Sequence, residues 1–237
     1  MPDAVPAFVW VEALSGPGAH VTLDETAAHH VVRVCRARVG DSVTATDGLG
    51  SIATCRVARL TPDVRLDVHQ IDRVERDRTA VVLCGAPEGQ RFDWIVEKLA
   101  ELGVTRLRPI ECERGEWTKA SIRPDRWKRL AVAALEQSRG RFLLEVGTPV
   151  TLDQALEAEG SPELRVLADP EGARPGGFPG RERSMIAAVG PSSGFSPEEK
   201  QGLLSRGFVA MSLAHGRLRT ETAAVAWASW WAGSRAD

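Results

Sequence analysis

The chain has 237 residues, of which 43% are hydrophobic and 26% are charged, and its formal net charge is −2. This composition is typical of an ordinary globule with a sizeable core, and the small net charge is no overall signature of a nucleic-acid-binding protein. The sequence shows neither an apolar run of membrane-spanning length nor a secretory leader, so we expect a cytoplasmic protein without a membrane partner.

The first 75 residues predict a small β-rich domain. Apolar and polar residues alternate in strand fashion, and turn-forming residues such as Asp47-Gly48 separate the segments. The predicted strands are residues 8–11, 42–46, 51–60 and 64–71, and residues 26–35 have a helical pattern. A compact barrel or half-barrel is the natural closure.

Metal-ligand spacing is not found in the sequence. The four cysteines stand at least 20 residues apart, so we expect reduced and mostly buried thiols. His29 and His30 are adjacent, and their side chains diverge on a helix, so we expect no metal cofactor.

After a charged linker at residues 72–78, strands and helices alternate along the rest of the chain. This rhythm predicts an α/β domain with a mostly parallel, doubly wound sheet. We therefore expect two domains, residues 1–75 and 76–237. Residues 169–180 contain four glycines and three prolines, which predicts a mobile surface loop.

Positive charge is concentrated in residues 119–141, which contain seven basic residues and two acidic ones. Most of the basic residues are arginines, which grip phosphates and stack on bases. A GC-rich genome gives the same bias toward arginine, so the sequence leaves both explanations open.

Two strand-loop-helix units close the chain. The strand at 184–189 leads into a glycine-containing loop, and Ser196, Pro197 and Glu199 predict the capped start of a helix. The strand at 208–213 leads into a second loop, and Thr220 is the predicted N-cap of the last helix. Loops at the carboxyl ends of neighbouring strands indicate a small-molecule crevice.

Motifs along almost the whole chain resemble those of the ribosomal RNA small subunit methyltransferase E family. They include residues 29–36, residues 97–104, Gly190-Pro191 with Gly194, and residues 218–223. The family belongs to the SPOUT class of S-adenosylmethionine-dependent methyltransferases. The resemblance implies a PUA-like β-barrel that binds RNA, followed by a SPOUT α/β domain with a trefoil knot, and a homodimer formed through the knotted domain.

The reaction that the resemblance implies is methylation of N3 of a uridine in 16S rRNA, near the decoding centre of the small ribosomal subunit. N3 must lose a proton before it attacks a methyl group, so negative charge on the base must be stabilised. Arg219 is the candidate for that role, and Glu221 is the candidate proton acceptor or the group that orients Arg219. The alternative is an internal salt bridge or cap, because an acid is favoured in a first helical turn.

The resemblance also implies which residues bind the cofactor and the RNA. The residues expected to hold S-adenosylmethionine, largely through backbone groups, are Leu167, Val189, Gly190, Pro191, Gly194, Leu213, Ala214, Leu218, Thr222 and Ala223. The residues expected to contact RNA are His30, Arg33, Arg36, Arg114 and Gln137.

The chain departs from the family pattern in three places. Ala7 stands where family members usually have arginine. Ser192 and Ser193 lie in a loop whose usual family sequence is G-P-E-G-G, and Ala214 and Gly216 lie where the usual family sequence is L-G-x-R. These departures leave two alternatives open: a divergent relative that methylates another RNA, and a non-catalytic RNA-binding ribosome-assembly protein. A dinucleotide enzyme is disfavoured, because the first strand of the sheet domain lacks a following G-x-G-x-x-G.

Overall fold

A computed structural model describes residues 7–177 and 182–233. They divide into two compact units. The first contains the described residues up to Arg76 and the segment Leu135–Leu143, and the second contains Asp77–Ala134 and the described residues from Leu144 onward.

The first unit is built on a sheet whose strand order is β1-β3-β4-β5-β2. Its strands are β1 (Ala7–Trp10), β2 (His20–Thr22), β3 (Ser42–Thr46), β4 (Ser51–Arg59) and β5 (Arg65–Arg73). Buried residues alternate along β4 and β5, so one face of the sheet carries the core of this unit. The parallel pairing of β1 with β3 contrasts with the antiparallel pairing of the other neighbours.

The helical pattern predicted for residues 26–35 forms in two parts. Helix α1 (Glu25–His29) begins at Asp24, whose carboxylate accepts a hydrogen bond from the Ala27 N–H. A π-helical turn, His30–Val34, follows it and ends where the Cys35 N–H donates to the His30 carbonyl at 2.9 Å.

The second unit is an α/β layer structure with a parallel sheet, as predicted. Its strands are β6 (Thr79–Cys84), β7 (Arg106–Glu111), β8 (Glu145–Val146), β9 (Val150–Thr151), β10 (Leu164–Ala173), β11 (Ser184–Val189) and β12 (Val209–Met211). Its helices are α2 (Phe92–Glu101), α3 (Pro124–Ser138), α4 (Leu152–Glu159), α5 (Pro197–Ser205) and α6 (Thr220–Ala232), and the end of α3 belongs to the first unit.

The strand order of the second unit is β12-β10-β11-β6-β7-β8, and β9 also pairs with β7. Every pairing is parallel, so the carboxyl ends of these strands lie along one edge. β6 and β11 are buried almost throughout, because helices cover both faces of such a sheet.

The predicted loop at 169–180 is partly strand, which corrects the prediction. β10 continues to Ala173, and its pairing with β12 resumes there after a register shift that begins at Ala168. A bulge of this kind allows proline and glycine inside a strand. Residues 178–181 of the predicted loop lie outside the described residues.

Candidate active site at the carboxyl edge of the sheet

A depression lies at the carboxyl ends of β10 and β12, and we call it the β10–β12 recess. Its walls come from the end of β10, the loop after β12 and the start of α6, and they include Asp169, Ser212, Leu213, Ala214, Leu218 and Ala223. The recess is shallow and open to solvent on one side.

The predicted cofactor residues fall into two groups in the structure. Four of them line the recess, namely Leu213, Ala214, Leu218 and Ala223. The side chains of Leu167 and Val189 are buried at 1% and 2% exposure, so they belong to the core and leave only their backbone groups for a ligand. Thr222 is exposed on α6.

The loop after β11 contains the other predicted cofactor residues. Gly194 has a φ of +81°, a conformation that favours glycine, and its N–H donates to the Pro191 carbonyl at 2.8 Å. Pro191 is buried against two further glycines. A Cβ on Gly85 would lie 2.5 Å from the Pro191 nitrogen, and one on Gly115 would lie 2.4 Å from the Pro191 Cβ. The position of this loop therefore depends on small residues elsewhere in the sheet domain.

The structure accommodates the three departures from the family pattern. Ser192 and Ser193 are exposed, and the Ser193 hydroxyl donates a hydrogen bond to the Arg114 carbonyl. Positive φ angles of non-glycine residues occur in the described chain only at Arg36 and Arg139, so Ala214 holds its Cβ without backbone strain. Ala7 is buried in the core of the first unit.

Thr220 is not the N-cap of the last helix, which corrects the prediction. Arg219 occupies that position without a capping side-chain hydrogen bond, and α6 begins at Thr220. The Thr220 hydroxyl instead donates to the Gly190 carbonyl at 3.0 Å. It thereby ties the start of α6 to the loop after β11. The predicted start of α5 is confirmed, because Ser196 and Glu199 form a capping box.

Arg219 and Glu221 belong to a chain of four charged side chains. Nη1 of Arg91 lies 2.9 Å from Oε1 of Glu221 and 3.5 Å from Oε2 of Glu88. Nη1 of Arg219 lies 3.8 Å from the same Glu88 oxygen. In the described structure Glu221 therefore pairs with Arg91 and Arg219 approaches Glu88, so the predicted direct pairing of Glu221 with Arg219 is not observed.

The two candidate catalytic residues differ in their exposure. The Glu221 side chain is 12% exposed, and the Arg219 side chain is 64% exposed. A nearly buried carboxylate held by one arginine has a fixed position, whereas the exposed Arg219 is free to turn toward an incoming anion. The arrangement therefore places a proton acceptor of fixed position, Glu221, near a cation that is free to move, Arg219.

Asp169 is a charged residue of the recess, in the segment 167–169 expected to bind the cofactor through its backbone, and no role was predicted for its side chain. Burial opposes its ionisation, but hydrogen bonds from the Lys200 ammonium at 2.8 Å and from the Glu171 N–H at 3.0 Å outweigh that effect. The pKa of Asp169 is therefore below its ordinary value, and the recess contains a carboxylate at neutral pH. Its position just after the apolar run of β10 was the available signal in the sequence.

The predicted RNA contacts are divided between the two units. His30, Arg33, Arg36 and Gln137 belong to the first, and Arg114 belongs to the second. Arg33, Arg36, Arg114 and Gln137 are exposed. Arg36 has a φ of 54°, which is unusual for a non-glycine residue and fixes the chain direction just after the π-helical turn.

The described residues contain no group of three or more histidine, cysteine or acidic side chains that could hold a metal ion. Among the helices formed by the same residues, none is both long enough and apolar enough to cross a membrane.

Comparison with protein families places the chain in a class. A family model described as an RNA methyltransferase domain matches residues 75–232. A second model, described as an RNA methyltransferase PUA domain, matches residues 23–63. Because the first match covers most of the chain, the protein belongs to the RNA methyltransferase family.

Individual relatives define the kind of RNA methyltransferase that the chain resembles. Ribosomal RNA small subunit methyltransferase E of Synechocystis sp. is 28% identical over 215 residues, which are 86% of this chain and 70% of the relative. The match extends through both units and confirms the resemblance to that family.

Solved structures agree with this placement. A methyltransferase from Legionella pneumophila, solved with bound S-adenosylmethionine, has a TM-score of 0.81 and 26% identity, covering 95% of this chain and 96% of that one. Ribosomal RNA small subunit methyltransferase E of Neisseria gonorrhoeae, also bound to S-adenosylmethionine, has a TM-score of 0.83 at 24% identity over the same shares of both chains. The second likeness shows the fold.

Proposed function

We propose that the protein is an S-adenosylmethionine-dependent methyltransferase that acts on N3 of a uridine in 16S rRNA, near the decoding centre of the small ribosomal subunit. The observation that carries the proposal is the β10–β12 recess, which lies at the carboxyl edge of the sheet beside the charged start of α6. The names and bound cofactor of the relatives support the same reaction.

The residues of the β10–β12 recess fit S-adenosylmethionine in their chemistry. Leu213, Leu218 and Ala223 supply apolar surface for an adenine ring. The Asp169 carboxylate, which is paired with Lys200, supplies a further hydrogen-bond acceptor for polar groups of the cofactor. The irregular loops after β11 and β12 supply backbone donors and acceptors. When bound, the cofactor supplies a methyl group activated by its positively charged sulfur.

The chain's own residues prepare the base for that methyl group. The Glu221 carboxylate accepts the proton of N3, and Arg91 holds this carboxylate in place. The Arg219 guanidinium turns from Glu88 toward the base and stabilises the negative charge that spreads over its O2, N3 and O4. Glu88, rather than Glu221, is the group that orients Arg219 before RNA arrives.

The resemblance supports four further parts of the proposal. Residues 1–75 form an RNA-binding domain that uses His30, Arg33 and Arg36, and residues 76–237 form the catalytic domain. The second domain contains a trefoil knot and forms a homodimer through it. A ribosomal substrate implies action in the cytoplasm. Arg114 and Gln137 are the remaining RNA contacts that we propose.

Calorimetric titration with S-adenosylmethionine tests the cofactor part of the proposal. We expect the wild-type protein and an Arg219→Ala variant to bind, because Arg219 acts on the base. A Gly190→Trp variant should lose binding, because its larger side chain would meet Phe195 at about the place where a Cβ already lies 3.0 Å from the Phe195 nitrogen. If the wild-type protein fails to bind at millimolar cofactor, the protein is a non-catalytic RNA-binding relative.

Methylation of purified small subunits tests the catalytic part. A Glu221→Gln variant keeps the size of the side chain but loses its capacity as a base, so we expect kcat to fall by about 100-fold or more. Cofactor binding should be unchanged in that variant. A kcat equal to that of the wild-type protein would reduce Glu221 to a structural partner of Arg91.

A further inference from the structure

A second recess opens at the same edge of the sheet, where the loops after β6 and β7 meet, and we call it the β6–β7 recess. The side chains that line it include Gln90, Asp93, Glu116, Trp117 and Arg123, all from the second unit. None of them takes part in the cofactor and proton-transfer steps described above. The β6–β7 recess therefore has no role in the reaction as derived so far.

An aromatic side chain with a fixed position forms part of its wall. Trp117 is half-buried, and its Nε1 donates a hydrogen bond to the Ile110 carbonyl at 2.9 Å. The rings of Phe92 and Trp127 pack edge-on against it, with centroids 4.9 and 6.3 Å away. A ring anchored in this way loses little conformational freedom when a flat ligand stacks on it.

The polar groups of the β6–β7 recess suit an uncharged ligand with hydrogen-bonding edges. The exposed side-chain amide of Gln90 makes no hydrogen bond with the described residues, so its donors and its acceptor are available. Asp93 is paired with Arg126 at 2.6 Å, and Glu116 adds a second carboxylate to the wall. These two carboxylates balance Arg123 and Arg126, so the interior has no excess positive charge to attract a phosphate, and a nucleobase is the fitting occupant.

The surroundings of the recess are basic, in contrast to its interior. Residues 119–129 contain five basic side chains and one acidic side chain. Lys119 follows the lining residue Thr118 and is exposed, and the exposed Arg129 lies three residues after Arg126, on the same side of α3. Such a rim binds the phosphates on either side of a base that enters the recess.

We propose that the β6–β7 recess receives an unstacked base of the substrate RNA a few nucleotides away from the uridine that is methylated. This inference rests on the proposed function for the identity of the RNA. The middle of the β10–β12 recess and the middle of the β6–β7 recess are three strand spacings apart, or about 14 Å. The cofactor occupies the β10–β12 recess and the reacting base lies between the two recesses, beside Glu221 and its partner Arg91. The base in the β6–β7 recess is therefore within about four stacked nucleotides of the uridine, at about 3.4 Å each.

Binding of a fluorescein-labelled, single-stranded oligouridylate tests the proposal without any methylation. The control ligand is an abasic oligonucleotide of equal length, which has the phosphates without the bases. Trp117→Ala should weaken oligouridylate binding about 5- to 150-fold, the range for loss of a stacking aromatic side chain. It should leave binding of the abasic oligonucleotide unchanged.

Two more variants keep the test informative if Trp117→Ala fails to fold. Gln90→Ala removes an exposed side chain that makes no hydrogen bond within the described part of the chain, and it should weaken oligouridylate binding about 2- to 10-fold. Trp94→Ala is the matched control, because Trp94 is an exposed tryptophan of α2 that does not line the recess. Binding unchanged by Gln90→Ala and by Trp117→Ala would overturn the proposal and leave the recess to a protein or small-molecule ligand.

Failure of this inference is distinguishable from failure of the proposed function. If Gln90→Ala raises KM for small subunits and leaves kcat unchanged, the recess holds a neighbouring base. If Gln90→Ala lowers kcat at saturating RNA, the recess acts on the reacting base itself and the proposal is wrong. A wild-type protein that binds oligouridylate through Trp117 but methylates nothing would refute only the proposed reaction.

Discussion

The two recesses at the carboxyl edge of the sheet are built from different parts of the chain. The β10–β12 recess is formed by irregular loops with mostly small or apolar side chains, and the neighbouring loop after β11 is held where Pro191 packs on Gly85 and Gly115. The β6–β7 recess is formed by large side chains, with Trp117 at its wall and charged groups around it. Substitutions that enlarge a side chain should therefore weaken ligand binding at the β10–β12 recess, and substitutions that shorten a side chain should weaken ligand binding at the β6–β7 recess.

The largest effect is expected where added volume displaces the loop after β11. Gly85→Ala places a Cβ 2.5 Å from the Pro191 nitrogen, so the loop must move. We expect the affinity for S-adenosylmethionine to fall about 100-fold, the size of effect that a misplacement of about 1 Å produces. Calorimetric titration measures it.

Gly216→Ala is the matched control for this substitution. Gly216 lines the β10–β12 recess, but a Cβ there would meet nothing within 4 Å. Its affinity should equal that of the wild-type protein. Equal losses in the two variants would contradict the view that backbone position, rather than glycine content, sets the shape of the recess.

A smaller effect is expected at the charged side chains near the start of α6. Arg91→Met removes the partner of the 12% exposed Glu221 and leaves its carboxylate without this hydrogen bond. We expect the free energy of unfolding to fall by about 1–2 kcal/mol, a value reduced because Arg91 is partly exposed. Urea denaturation measures it, and single-turnover methylation should slow in parallel.

Arg126→Met provides the comparison at the β6–β7 recess. Arg126 pairs with Asp93 at 2.6 Å but is itself 46% exposed. The loss of stability should be below about 1 kcal/mol. A greater loss than in Arg91→Met would show that the pair near α6 is the weaker one.

The pairing of Asp169 with Lys200 predicts a pH dependence. The folded-state pKa of Asp169 lies below the unfolded value of about 3.9, so its stabilising effect is complete above that pH. The effect is lost as the pH falls through the lower folded-state pKa. Lys200→Met should cost about 1 kcal/mol at pH 7 and progressively less toward pH 2. A cost that stays constant with pH would exclude this electrostatic explanation.

The smallest effect is expected at a departure from the family pattern. Ala214→Gly restores the family's usual residue, but Ala214 does not have a positive φ. Affinity for the cofactor should change by less than about 2-fold, and stability should fall by about 0.5–1 kcal/mol through the greater freedom of the unfolded chain. A large gain in affinity would show that the Cβ of Ala214 obstructs the ligand.

Local signals in the sequence predicted the elements that surround the site. Ser196, Pro197 and Glu199 stand within four residues of one another and marked the start of α5 correctly. Thr220 gave an equally good local signal, yet its hydroxyl bonds to a carbonyl 30 residues away. The hydrogen-bond acceptor of the Thr220 hydroxyl is therefore determined by the tertiary fold and not by adjacent residues.

Distant contacts also explain why part of the site was not predicted. The partner of Glu221 is 130 residues away in the sequence. Phe92 and Trp127 had the spacing of ordinary core positions, and nothing local indicated that Trp117 would pack beside them at the wall of a recess. Helical periodicity predicts which face is buried but not which loops meet at the end of a strand.

The first unit is discontinuous along the chain, and this affects how it is completed during synthesis. Within this unit the backbone N–H of Trp10 donates a hydrogen bond to the Glu136 carboxylate at 2.8 Å, and Leu49 forms an isolated β-bridge with Phe142. Domains usually fold from the amino terminus as the ribosome delivers them. Here the contacts near β1 wait until Asp77–Ala134 has also been translated, so a nascent chain that stops at Arg76 leaves this unit unfinished.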